Sequence, residues 1–211
     1  MQSILFILVG LICIVIVISI IWRFFSNRAS IPCPSWLGWL VELDNPILKN
    51  NSAREIVSHL ELQPGMKVLD FGCGPGRITI PVAKQVGPSG TVTAFDIQAA
   101  MLERVRAKAV HGNLGNIEFI QGAAGEGKLG NNQYDRVLLV TVLGEIPDRK
   151  ALLKEISDCL KSGGLLSVTE AIADPHFQTR KNVLDAVTAV GLKEKGLFGN
   201  RISFTMILEK P

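Results

Sequence analysis

Paired cysteines are missing from this sequence. Cys13, Cys33, Cys73 and Cys159 stand far apart, and no spacing among them fits a disulfide framework or a metal site. Free thiols of this kind suit a reducing compartment. A surplus of one charge is missing too: 22 basic residues face 19 acidic ones, for a net charge of +3. No Lys/Arg cluster with interleaved aromatics occurs, so no nucleic-acid partner is expected.

The third absence is local. From Ile4 to Trp22 there is no charged residue, and Ile, Leu, Val and Phe dominate. Such a run is long enough to cross a hydrocarbon core as a helix, with an insertion free energy of about −5 to −9 kcal/mol. No Lys or Arg precedes it and no small-x-small cleavage site follows, so it is read as a retained anchor and not a removed signal. Arg23 and Arg28 follow directly, which places the N-terminus outside and the rest in the cytoplasm. The expected organisation is an anchor over residues 1–25, a linker or lid over 26–51 and a domain over 52–211. The linker carries Trp36 and Trp39, which suit either an interfacial helix or a cover over a pocket.

What the sequence does contain is concentrated in Val68-Leu69-Asp70-Phe71-Gly72-Cys73-Gly74-Pro75-Gly76. An apolar strand delivers an acid into three alternating glycines, and a helix from Thr79 to Val86 follows. Glycines let the backbone bend and approach a ligand more closely than a Cβ permits, while the helix start offers free N–H groups. About twenty residues on, Asp96 closes the next apolar strand, Thr91 to Phe95. That spacing brings a second carboxylate to ribose hydroxyls. A nicotinamide-binding fold, the competing reading, needs Gly-x-Gly-x-x-Gly, whereas here the third glycine comes one residue early, behind Pro75.

On these residues the sequence resembles the class I S-adenosylmethionine-dependent methyltransferases, in particular small bacterial members similar to the ubiquinone and menaquinone methyltransferase group. Asp70 to Gly76 looks like the family's glycine motif and Phe95-Asp96 like its second-strand acid. Tyr134 to Val140 looks like its fourth strand and Leu160 to Leu166 like the turn into its fifth.

The remaining periodicity fits an α/β, Rossmann-like fold, a seven-stranded mostly parallel sheet with helices on both faces and a closing antiparallel hairpin. Helices are expected over Ser52 to Leu60, Gln98 to His111, Ala151 to Leu160 and Gln178 to Val190. Strands are expected over Ile117 to Gln121, Arg136 to Thr141 and Leu165 to Thr169, with the hairpin near Lys193 to Leu197 and Ile202 to Glu209.

The resemblance implies a site for S-adenosylmethionine. Gly72, Gly74 and Gly76 frame its methionine end, with Cys73 packed among them and Asp70 holding the ammonium directly or through water. Asp96 accepts from the ribose hydroxyls, Ile97 and Met101 pack on the adenine, and Met101 is equally readable as core. The family's usual acid after the third strand is absent from Gly122-Ala123-Ala124, leaving adenine to Ala123 and Ala124, with Glu126 or a main-chain carbonyl as substitute.

Thr141, Glu145 and Asp148 after the fourth strand, and Glu170, Asp174 and His176 after the fifth, are candidates to line the reaction site, with Thr141 also expected among the cofactor-binding residues. Glu145 and His176 are the candidate bases; the competing reading makes His176 a surface turn residue beside Asp174-Pro175. A tethered enzyme near lipid suggests a small hydrophobic or lipid-like acceptor. The alternatives are a membrane-tethered cofactor-binding protein without transfer activity and an NAD(P)-dependent oxidoreductase.

Overall fold

The computed structural model describes residues 51–211 and eight earlier positions, Phe6, Gly10, Ile14, Val17, Ile18, Ile21, Gly38 and Glu42, all helical. Among the described residues no helix is long and apolar enough to cross a membrane. The expected anchor, Ile4 to Trp22, and most of the linker lie outside the described residues, those eight positions apart.

From residue 51 onward, helix and strand alternate: α1 (Ala53–Ser58), β1 (Lys67–Phe71), α2 (Thr79–Val86), β2 (Thr91–Asp96), α3 (Ala99–His111), β3 (Ile117–Gln121), β4 (Tyr134–Val140), α4 (Arg149–Cys159), β5 (Leu160–Ala171), α5 (Arg180–Thr188), β6 (Lys193–Gly199) and β7 (Ser203–Glu209). Short polar side chains set three helix starts. Ser52, Asp148 and Thr179 accept from the backbone N–H groups of Glu55, Ala151 and Asn182, each satisfying a donor that the first turn leaves unpaired.

Seven strands form one sheet in the order β3-β2-β1-β4-β5-β7-β6. The first five run parallel; β7 inserts antiparallel between β5 and β6. Strand order therefore reverses between β1 and β4, and the crevice beyond their carboxyl ends is where such a sheet opens to a ligand.

The expected elements are present with two informative differences. The fifth strand begins at Leu160 rather than Leu165, because Leu160 already pairs with Tyr134 before the register shifts to Arg136 and Leu165. The turn residues between them are a bulge inside the strand. The last helix starts at Arg180, not Gln178, since Thr179 takes the cap and Gln178 turns inward, buried.

Alternation along β4 explains the two-sided burial. Val137 and Leu139 join one apolar cluster with Leu152, Leu153 and Ile156 of α4 and Val183 and Val187 of α5. Leu138, pointing the other way, joins Ile56 and Leu60 with Val82 and Val86 of α2. Arg136 is nearly buried at the start of the same strand, and it donates from Nε to the Leu60 carbonyl at 2.6 Å and from Nη2 to that of Glu61 at 3.4 Å. A cation thus closes the carbonyl end of the α1 region, where the unpaired helix carbonyls attract positive charge.

Leu139 is fully buried in the larger cluster on a central strand. Leu139→Ala is expected to lower the unfolding free energy by about 2–5 kcal/mol, read by urea denaturation as a lower midpoint with an unchanged slope.

Candidate active site

The glycine loop is built by hydrogen bonds that only its backbone can make. Gly72, Gly74 and Gly76 have φ of 72°, 51° and 87°, the left-handed region that side chains disfavour. Gly72 and Cys73 both donate their N–H groups to the Phe95 carbonyl, at 2.8 and 3.0 Å. Gly74 N–H donates to Asp96 Oδ2 at 2.9 Å, and Gln98 N–H to Asp96 Oδ1 at 2.8 Å. The loop after β1 is therefore tied to the end of β2, and Asp96 is held at its rim.

Space around the three glycines differs. A Cβ on Gly72 would come 2.4 Å from Val142 Cγ2 and one on Gly76 3.0 Å from Val105, while one on Gly74 would meet nothing within 4 Å. Gly72 and Gly76 are required by packing, and Gly74 borders open space. That is the cradle a cofactor's methionine end needs, so the residues present fit S-adenosylmethionine.

Asp70 lies under this loop, 2% exposed. Burial lifts its carboxyl from 3.8 to about 6, the 2.6 Å hydrogen bond from Thr79 Oγ1 opposing and the Asp96 charge adding to the rise. Burial likewise raises Asp96, against the N–H groups of Gln98, Gly74 and Ile97. Cys73 is buried with Ala94, Leu102 and Val105; burial foremost, then Asp70 and Asp96, push its thiol far up. It packs as a small apolar side chain and is no nucleophile.

The adenine side is less uniform. Ile97 is 54% exposed and offers an open apolar face, whereas Met101 is 2% exposed. The Met101 sulfur lies 3.4 Å from where a Cβ on Gly38 would stand, and Glu42 makes a 2.8 Å ion pair with Lys108. Helical linker positions therefore lie against α3, and Met101 packs beneath them. Ala123 and Ala124 are half-buried, Ala124 against the larger core cluster. Glu126 is exposed; its pair with Lys128 at 2.8 Å, with help from the Ala123 backbone, holds its carboxyl below the usual range.

Thr141 directly follows β4 with φ of 55°, a conformation a β-branched residue adopts only under constraint. Its N–H donates to the Thr169 carbonyl at 2.8 Å and its hydroxyl to the Val140 carbonyl at 2.7 Å. The next residue, Val142, is the one pressed on Gly72. Two residues on, a Cβ on Gly144 would stand 1.9 Å from the His176 carbonyl oxygen. The loops after β1, β4 and β5 are thus stacked through two missing side chains.

This stacking brings Glu145 and His176 together. His176 is 4% exposed, so it is no surface turn residue. Its Nδ1 lies 3.9 Å from Glu145 Oε1 and 3.7 Å from Asp174 Oδ1. Asp148 stands apart as the α4 cap. Glu170, 1% exposed, has its carboxyl pushed from 4.5 to about 8, chiefly by burial. Sequence reasoning missed Thr79, Gly144, Arg149 and Gln178, which no local motif marks and whose contacts include Arg149 with Gln178 across the fold.

Similarity to known proteins now bears on this geometry. A family profile described as a methyltransferase domain matches residues 62–195. The chain belongs to this family. Demethylmenaquinone methyltransferase of Listeria monocytogenes is 33% identical over 133 residues, covering 63% of this chain and 56% of the relative. The chain thus spans little more than half the length of that curated relative. A solved SAM-dependent methyltransferase from Aquifex aeolicus superposes with a TM-score of 0.74 at 19% identity, covering 84% of this chain and 98% of that one. The [4+2]-cyclase SpnF superposes with 0.67 at 16% identity, over 75% of this chain and 79% of its own. At those identities the likeness is one of fold. In family and fold the chain is thus similar to the class I S-adenosylmethionine-dependent methyltransferases of the menaquinone group.

Two pH dependences follow for this methyltransferase. With Asp70 as acceptor for the cofactor's ammonium, binding requires the carboxylate, so the dissociation constant measured by calorimetry rises about tenfold per pH unit below about 6. Glu170 binds its proton more tightly folded than unfolded, so it contributes stability below about 4.5 that is lost as pH rises towards about 8. Glu170→Gln removes that part of the slope, checked by denaturant midpoints across the range.

Proposed function

We propose that this methyltransferase transfers a methyl group from S-adenosylmethionine to a small hydrophobic acceptor of quinone type, held at the cytoplasmic face of a membrane. The observation carrying the reading is the contact chain Gly72 to Val142 and Gly144 to His176, which sets a His–carboxylate pair one loop away from the cofactor cradle. The family assignment supports the transfer. The Listeria relative's name, demethylmenaquinone methyltransferase, supports the acceptor class. Anchoring is supported by the uncharged run Ile4 to Trp22 and by the 50–74% exposure of the helical apolar residues Phe6, Ile14, Val17, Ile18 and Ile21.

When bound, S-adenosylmethionine supplies an electrophilic methyl carbon on a sulfonium leaving group. The chain's own contribution is alignment and proton handling. Carboxylates of Glu145 and Asp174 flank His176 Nδ1, which favours the tautomer protonated there and leaves Nε2 as the base. Nε2 would receive the proton that the acceptor gives up during transfer.

The decisive experiment incubates the full chain in detergent with methyl-labelled S-adenosylmethionine and a bacterial membrane-lipid extract. Label is expected in the quinone fraction, with Asp96→Ala abolishing cofactor binding and His176→Ala lowering the rate by a factor of about 10²–10⁴. Cofactor binding without labelled product in any fraction supports the tethered binding protein instead. Uptake of a nicotinamide dinucleotide in place of S-adenosylmethionine supports the oxidoreductase.

A further inference from the structure

Behind His176 lies a set of polar groups that no step of methyl transfer uses. Arg149, in the first turn of α4, donates from Nη1 to Gln178 Oε1 at 3.0 Å and from Nη2 to the Gly144 carbonyl at 3.3 Å. Gln178, 8% exposed, donates from Nε2 to the His176 carbonyl at 2.7 Å. The Gln178 N–H donates in turn to Glu170 Oε2 at 2.9 Å. One guanidinium therefore grips the loop after β4 directly and the loop after β5 through a single amide. The two loops meet where Gly144 leaves no room for a Cβ beside His176.

We infer that Arg149 and Gln178 are positioning residues, a bracket that holds the His176 ring between Glu145 and Asp174 with Glu170 as its buried foot. The inference rests on the reading of His176 as the base. Gln178 is buried and Arg149 half-buried, and withdrawing their polar groups from water costs free energy unless hydrogen bonds replace it. Here those bonds go to the carbonyls on either side of the Gly144 and His176 contact and to each other. The arrangement also fixes charge. Arg149 is the cation facing Glu170, and Glu145 and Asp174 face it as anions, so an open bracket would leave acids crowded around His176 without their cation. General acid–base catalysis is steep in distance, and a base displaced by about 1 Å loses about 10²-fold in rate.

A loop-packing role alone would let the bracket matter whether or not His176 is present; a positioning role makes its effect vanish with the imidazole. The test uses the full chain in detergent, labelled S-adenosylmethionine at saturation and the membrane-lipid extract as acceptor. Gln178→Leu and Arg149→Met are each expected to slow the initial rate about tenfold or more, with the cofactor dissociation constant within twofold of wild type. In the His176→Ala background, adding Gln178→Leu is expected to cost less than about twofold further, the signature of coupled residues. A second readout needs no acceptor. Modification of His176 by diethylpyrocarbonate, followed by peptide mass, is expected to accelerate about fivefold or more in both bracket variants.

Full additivity of Gln178→Leu with His176→Ala, or unchanged His176 modification in both variants, overturns the bracket while leaving the base in place. An unchanged rate in His176→Ala itself overturns the proposed base. Should Gln178→Leu fail to fold, Arg149→Met breaks the same bracket from α4, and its modification rate decides the matter.

Discussion

The site depends on close approach at two glycines, to the Val142 side chain at one and to the His176 backbone at the other. Gly72 lies where any side chain would collide with Val142, and Gly144 where any side chain would collide with the His176 carbonyl. Through these contacts three loops from β1, β4 and β5 become one wall. Hydrogen bonds from Gly72, Cys73 and Gly74 to the end of β2 then fix that wall against Asp96. Rigid strands set the loops' roots, and the missing methyl groups set how near their tips come.

Electrostatics follow from that compactness. Asp70, Asp96 and Glu170 are all buried near the carboxyl ends of the strands, and desolvation dominates each one's shift. Packing acids this way costs folding stability at neutral pH. Clusters of displaced carboxyl groups are characteristic of sites that await a ligand, whose cationic and hydrogen-bonding groups supply the missing compensation.

Much of this was legible in the sequence. Apolar runs and helical periodicity located every strand and helix from α1 onward, most firmly on the central strands β1, β4 and β5, which are mostly buried. The glycine motif and Asp96 were legible because their meaning is local: three glycines in one turn and one acid closing the next strand. What stayed hidden is long-range. Nothing near Arg149 announces that it reaches Gln178 and the Gly144 carbonyl, and nothing beside Asp174-Pro175 shows that His176 is buried. Gln178 resembles a helix start until Thr179 is seen to take the cap. Recognition of the family could not supply these either, since they lie outside its glycine motif.

The outer strand β6 is exposed along almost its whole length and carries Lys193, Glu194 and Lys195 in succession. Its pairing with β7 slips between Glu194 and Gly196. An unpaired strand edge invites a second chain to add to the sheet, and both charge and irregular register oppose such addition. Wherever copies meet at high effective concentration, those lysines and that slip keep neighbouring sheets from zipping together side by side.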